Sequence, residues 1–313
     1  MKVLFYLLTG LSLATVIGCQ NKATSDGNPS ILAVSSMASD RDFQGYWYQG
    51  KAELASYDLE QARYGEIHQG SAVLIFVTED FSEKKQVKLD DPEKAGDDRV
   101  PVLKLNLTKK FNTGIYPYSM MLSVFTPVNV NEHPHTLKTT MSSQEWCGHA
   151  FTQLNLDGGN YRVTGLSYFE SEGDENFSVK KHILEDELWT RIRLSPENLP
   201  VGEHTLIPGS FYSRLRHTDI QPRKAILSLK DNGEIRDYSI IYPEENRELI
   251  IHFEKNFPYK ITGWEETFTS GWGAEAKTLT TRAVIKKTMI TDYWTKHNNE
   301  HRALRTELGL SPE

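Results

Sequence analysis

Two cysteines are the only thiols in the 313-residue sequence, and their neighbours give them different chemistry. Cys19 closes the run Val16-Ile17-Gly18-Cys19, which follows Lys2 and a mostly apolar stretch over 3–17. A positive start, a short apolar core and a small residue directly before a cysteine form the layout of a bacterial lipoprotein signal peptide. The expected chemistry is cleavage between Gly18 and Cys19 and acylation of the Cys19 thiol. The apolar run is too short for a membrane span, which needs roughly 20 residues. Each buried methylene contributes about 0.8 kcal/mol and one acyl chain holds only marginally. The several chains of a lipoprotein cysteine therefore make the expected attachment effectively permanent. Gln20 follows the cysteine, whereas Asp there is the familiar signal for inner-membrane retention. The expected location is the cell envelope, on the outer membrane facing the periplasm rather than on the inner membrane.

With Cys19 committed to lipid, Cys147 has no disulfide partner in the monomer. It sits in Glu145-Trp146-Cys147-Gly148-His149, where His149 could activate the thiol as a nucleophile. A working triad also needs an orienting third group, and the plainer expectation is a buried, inert cysteine. The sequence has no Gly-x-Ser-x-Gly elbow, His-Glu-x-x-His, phosphate loop or Cys-x-x-Cys. His182 and Glu185 fall on an expected helix, as part of its charged solvent face. His133-Pro134-His135 reads as an exposed polar loop, and Arg214, Arg216, His217 and Asp219 as a loop cluster with the option of a small anion site. Glu265 and Glu266 are adjacent on a strand, face opposite ways, and cannot act as a glycosidase pair. No catalytic, metal or cofactor set emerges. Aromatic side chains offer a different chemistry. Trp47, Tyr116, Tyr118, Trp264 and Trp272 are candidates to line a groove for a glycan or lipid, although strands also use such residues in their cores.

The elements that must position these residues are mostly strands. Alternating or continuous apolar runs mark 51–59, 71–78, 100–107, 116–125, 137–156, 161–169, 225–230, 235–241, 248–253, 260–268 and 277–290. Turns such as Asp157-Gly158-Gly159-Asn160 and Asp231-Asn232-Gly233 join them, and such short joints imply antiparallel neighbours. Val179, Ile183, Leu184, Leu188 and Ile192 recur at helical spacing, predicting one amphipathic helix over 178–193. The expected fold is mainly β: a large curved antiparallel sheet or half-barrel with the helix on its concave side. Two packed β domains divided near residue 200 are the alternative. Before this body (43–291) comes the signal peptide (1–18) and a polar tether (19–42), and after it a polar tail (292–313) that frays or forms a short helix. A flexible tether of about 23 residues averages roughly 26 Å end to end. The formal charge of −7 becomes −8 once Lys2 is removed, which gives no electrostatic footprint for nucleic acid.

Several blocks resemble a family of bacterial lipoproteins. These are 50–54 through 78–81, Lys110-Phe111-Asn112-Thr113-Gly114-Ile115-Tyr116-Pro117-Tyr118, Gln144-Glu145-Trp146-Cys147-Gly148-His149, and Gly271-Trp272-Gly273-Ala274 through Thr281. The likeness covers most of 46–290, and members carry the label "septum formation inhibitor Maf". It implies an envelope lipoprotein linked to septum formation. Maf pyrophosphatases use a Ser-x-Ser-Pro-Arg-Arg-type motif on an α/β fold. Here Ser-Pro occurs only at Ser195-Pro196 and Ser311-Pro312, each followed by Glu, so none of their catalytic residues carries over. The expected shape is also similar to periplasmic half-barrel lipoproteins that cradle lipids, as an analogy of architecture. The functional expectation is a membrane-anchored, non-enzymatic module that binds a lipid, a glycan or an envelope protein. An envelope hydrolase with a dispersed site around His149, Arg214 and His217 is the alternative, and a septum-related factor is the third.

Overall fold

The computed structural model describes residues 40–311, so Gly18, Cys19 and the tether up to residue 39 lie outside the described residues. Strands β1 (Ala52–Arg63), β2 (Glu66–Ser82), β3 (Arg99–Thr113), β4 (Tyr116–Pro127), β5 (Lys138–Glu145), β6 (Gly148–Asp157), β7 (Asn160–Ser167) and β8 (Asp174–Lys180) pair in succession as an antiparallel meander. A second meander comprises β9 (Ile183–Leu184), β10 (Gly202–Ile207), β11 (Arg223–Asn232), β12 (Ile235–Tyr242), β13 (Arg247–Glu254), β14 (Ile261–Ser270) and β15 (Lys277–Thr291). Within it the β9–β10 pair alone is parallel. The meanders join through β1 and β15, antiparallel from Ala52↔Thr291 to Glu60↔Arg282. The product is one open, mainly antiparallel sheet of 15 strands, and not two β domains.

The outer strands of this sheet are β8 and β9, which only Lys181 and His182 separate in sequence. That short link forces the sheet to curl until its two sides meet. Leu154, Tyr161, Val163 and Val179 from one side pack with Leu184 and Ile207 from the other. The period of two puts Ala55, Tyr57, Leu59, Leu74, Phe76, Leu105 and Leu107 on the concave face, where they form the main core. We call the end where β1 finishes the upper end, and the end where it starts the lower end.

Helix α2 (Glu185–Leu194) lies in the concavity against β3 and β4. It starts seven residues later than the periodicity predicts, because 174–180 forms the strand β8, whose side chains are mostly exposed. The spacing from Val179 to Ile183 thus spans a strand end and a link. The helix also lacks a charged solvent face: eight of its ten residues are buried, so its charges must be paired internally. Helix α1 (Asp40–Trp47) covers the lower end and takes up the last residues of the expected tether. Helix α3 (Ser210–Arg216) sits at the upper end. The segment from 292 forms short 3-10 turns and helix α4 (Ala303–Glu307), and docks on the convex face through buried Leu308. The Ser56 hydroxyl donates to the Leu308 carbonyl oxygen from that face.

Candidate functional site

Turns at the upper end carry aromatic side chains on their tips. Tyr64 and Gly65 both have positive φ (54° and 76°), as a two-residue type I′ hairpin turn requires. Glycine is needed at 65 for a second reason: a Cβ there would meet the Glu275 carbonyl oxygen at 2.7 Å. The rings form an open chain around the mouth. Trp146 lies 6.4 Å from Tyr116, whose hydroxyl donates to Tyr64 Oη at 3.2 Å. Tyr64 lies 6.0 Å from Trp272, Trp272 lies 6.0 Å from His217, and His217 lies 5.0 Å from Phe169. Phe169 meets Tyr168 at 5.5 Å, and Tyr168 crowds Gly148, two residues from Trp146. Trp146 is 67% exposed and Trp272 48% exposed, so ring faces remain open to solvent.

Arg63 fills the centre of this crown. Its guanidinium lies 4.2 Å over the Tyr64 ring and 5.4 Å from the Trp272 ring, and donates to the Tyr64 and Tyr118 hydroxyls and the Leu215 carbonyl. Such stacking holds the rings in place while leaving their outer faces free. Beside the crown is a pocket of about 330 Å³ between the inner faces of β6 and β7 and the α3 region. Glu172, Ser213, Arg214, His217, Thr218 and Asp219 line it. The Glu172 carboxylate accepts from Arg214 through both oxygens, from Ser167 Oγ at 2.7 Å, and lies 2.6 Å from His217 Nδ1. Burial raises the Glu172 pKa, but the hydrogen bonds from Arg214, Ser167 and His217 outweigh it and hold the carboxyl below its usual range. Burial pushes the His217 imidazole pKa down, Glu172 opposes this, and the Arg214 charge adds to it. Ser213 Oγ is buried without a hydrogen-bond partner among the described residues.

A second polar cluster lies deeper in the concavity. Arg247 donates to both Glu185 oxygens at 2.6 Å and through Nε to Glu266 at 2.9 Å, while Tyr242 Oη donates to Glu185 at 2.8 Å. Lys109 Nζ donates to Gln61 Oε1 at 3.2 Å, and burial lowers its pKa. Asp186 accepts from the Ser210 amide and hydroxyl, and burial pushes its pKa up to about 7. Gly209 is required beside it, since a Cβ would stand 2.3 Å from Glu185 Oε1. The cavity among these groups is only about 30 Å³, room for a water and not for a ligand. That cavity is too small to cradle a lipid.

The five aromatics expected to line one groove separate into two sets. Tyr116 and Trp272 belong to the crown, whereas Trp47 and Trp264 at 2% exposed and Tyr118 at 4% are core residues, Tyr118 meeting the crown only through its hydroxyl beneath Arg63. Cys147 is exposed at the β5–β6 turn and not buried. Its hydrogen bond with Glu145 and that residue's charge raise the thiol pKa, so it is not activated. Glu185 is buried against Arg247 and does not share a solvent face with His182. His135 lies 4.0 Å from the buried Glu187, and burial takes its pKa down to about 4. Arg214, Arg216 and His217 are on α3 and its C-terminal cap, where His217 has φ 54°. Glu265 and Glu266 do diverge: the first pairs with Arg282 outside, the second with Arg247 inside. Among the described residues, no group of three or more His, Cys, Asp or Glu could hold a metal ion.

Arg63, Tyr64, Trp146, Tyr168, Phe169 and Glu172 escaped the sequence reading. A signal existed for the rings, because Tyr64, Trp146 and Trp272 each lie beside or near a turn glycine. Aromatics at hairpin tips cannot be core residues. No such signal marks Arg63 or Glu172, whose partners are distant in sequence.

No family model and no curated protein matches the chain. Among solved structures it is similar to a β-barrel-like protein of a domain of unknown function from Brucella abortus, at 9% identity. That match covers 77% of this chain and 98% of the other, with a TM-score of 0.45. An immune modulator A from Aeromonas veronii matches at 8% identity over 75% of this chain and 94% of the other, with a TM-score of 0.16.

Proposed function

We propose that this protein is a lipid-anchored, non-enzymatic module of the cell envelope whose upper mouth binds a glycan. The carrying observation is the chain of partly exposed aromatic rings beside a polar pocket of about 330 Å³. Open ring faces on Trp146, Trp272 and Tyr116 suit the apolar faces of sugar rings. Carboxylate, guanidinium and hydroxyl groups in the pocket suit their hydroxyls, and the partnerless Ser213 Oγ is left for a ligand. Acylation at Cys19 would hold this mouth close to envelope glycans. Calorimetric titration with soluble muropeptides and lipopolysaccharide core oligosaccharide tests the reading. Saturable binding is expected, weakened roughly tenfold or more by Trp272→Ala, a loss of about 1.4 kcal/mol. Absence of binding to both glycan classes would refute it.

The hydrolase reading has one observation in its favour, the contact between His217 Nδ1 and Glu172. Arg214 Nη2 lies against the same Nδ1 at 2.6 Å and 3.4 Å from Nε2, and among the described residues no hydroxyl or thiol hydrogen-bonds Nε2, so no nucleophile completes the set. Loss of an envelope-glycan hydrolysis activity in His217→Ala would restore it.

A further inference from the structure

The edge of the sheet at β9 and β10 carries a site of different chemistry, which shares no lining residue with the pocket beside the crown. β9 covers β10 only at Leu206 and Ile207, so Gly202, Glu203 and His204 pair with β11 alone. Beside that uncovered stretch is a pocket of about 740 Å³. The Lys181-His182 link between β8 and β9 lines one side of it, and β10 and β11 line another. His135, from the loop before β5, also reaches it. His135 and His182, which the sequence presents as two separate polar surfaces, thus meet His204 around one cavity.

Charge decides what this pocket takes. The whole chain is acidic, at −7, yet Lys181, Lys224 and the three histidines line the pocket against Glu203 alone. Neither lysine ammonium has an ion-pair or hydrogen-bond partner among the described residues. Lys181 is half-buried, and a cation held partly out of water gains from a counter-charge. Burial lowers the His135 pKa, and the charges of Lys181 and Arg191 lower it further, which marks a positive field at that wall. Glu187, 4.0 Å from His135, is already taken by Arg191 at 2.9 Å. The Thr205 hydroxyl adds a neutral donor, and Ile183, Ile226 and Pro243 supply an apolar surface. Two ammonium groups with neutral donors suit an oxyanion of double charge. The volume and the apolar surface leave room for an organic body behind it.

We propose that this pocket binds a phosphomonoester, its dianionic head held by Lys181 and Lys224 and its organic body against Ile183, Ile226 and Pro243. The test is calorimetric titration of the full chain carrying Cys19→Ala, so that no acyl group at that position draws the protein to vesicles. The probes are phenyl phosphate, benzoate, inorganic phosphate and vesicles of phosphatidic acid. Saturable binding of phenyl phosphate is expected. Benzoate, with one charge, and inorganic phosphate, with no organic body, are each expected to bind roughly tenfold more weakly. Lys181→Glu and Lys224→Glu are each expected to weaken phenyl phosphate binding by roughly tenfold or more. Lys230→Glu makes the same charge change further along the same face of β11 and is expected to leave binding unchanged. Vesicle binding that phenyl phosphate displaces would assign the phosphate to a lipid headgroup, and phenyl phosphate binding without vesicle binding would assign it to a soluble molecule. Both outcomes support the site. No saturable binding of phenyl phosphate, equally tight benzoate or inorganic phosphate, or an equal loss in Lys230→Glu would each overturn it. Vesicle binding that phenyl phosphate does not displace would overturn it as well.

Discussion

The two ends of the curled sheet use the same residue types for opposite purposes. At the lower end α1 inserts Trp47 into the core, against Phe76 and beneath the Arg193 guanidinium, which lies 5.0 Å from the Trp47 ring. Arg193 is itself fully enclosed, donating to both Glu53 oxygens at 2.7 Å and to the Pro258 carbonyl at 2.9 Å, while Tyr46 Oη also donates to Glu53. At the upper end Arg63 again lies among aromatic rings, yet Trp146 and Trp272 keep their faces in water. Arginine over tryptophan seals one end and displays the other. The difference is what covers the rings. A helix caps the lower cluster, whereas α3 stands beside the upper one and leaves it open.

Breaking the lower end should cost most. Arg193→Met strands the Glu53 carboxylate in the core and is expected to lower stability by about 3–5 kcal/mol in urea denaturation. Arg193 holds the Glu53 pKa below its usual range, against a burial effect that would raise it. The stability this pair contributes is therefore present above the ordinary carboxylate pKa and is lost as pH falls through the lowered folded value. Trp47→Ala should lose a similar amount, about 3–5 kcal/mol. A loss near zero for either would mean that the lower end is not sealed.

Between the ends, Asp186 should show the opposite pH dependence. Burial raises its pKa from 3.8 to about 7, so the folded state holds the proton more tightly than the unfolded one. Its contribution is fully present below pH 3.8 and is lost as pH rises through about 7. The stability difference between the protein and Asp186→Asn, measured by denaturation across that window, should therefore change with pH. A constant difference would show that folding does not raise the Asp186 pKa.

At the upper end, Trp146→Ala should change stability by no more than about 0.5 kcal/mol, since the ring is mostly in water. Comparing it with Trp47→Ala isolates the effect of the covering helix. The smallest effect belongs to Cys147. Glu145→Gln should lower the thiol pKa and speed its alkylation at fixed pH, because Glu145 is what raises it. An unchanged rate would remove Glu145 from the account.

Local chemistry made much of the sheet legible. Asp157-Gly158-Gly159-Asn160 declares its hairpin because Gly158 supplies the positive φ that the turn needs. Leu103, Leu105 and Leu107 declare a strand face by alternation, and all three are buried. Legibility failed where a residue's meaning depends on a distant partner. Glu185, Asp186 and Glu187 look like the solvent face of a helix; Arg191 pairs with Glu187 locally, but Arg247, Ser210 and the Thr136 amide, far along the chain, are needed to make the burial of all three affordable. Arg63 and Glu172 at the candidate site are hidden for the same reason. The crown's rings were readable in kind, but their order around the mouth follows from the curl of the sheet, which no local pattern encodes.

The β1–β15 seam has a consequence for how the molecule is made. The two strands that meet at the middle of the sheet are the first and the last along the described residues, paired as Ala52↔Thr291. Every other antiparallel pair joins strands that are close in sequence and can form as the chain emerges. The seam must wait until almost all of it has been synthesised, and such distant pairing is slow. Until then β1 and β14 each present an unpaired row of backbone donors and acceptors. A chain cut short before residue 277 would keep both rows open, and its failure would take the form of aggregation through those edges.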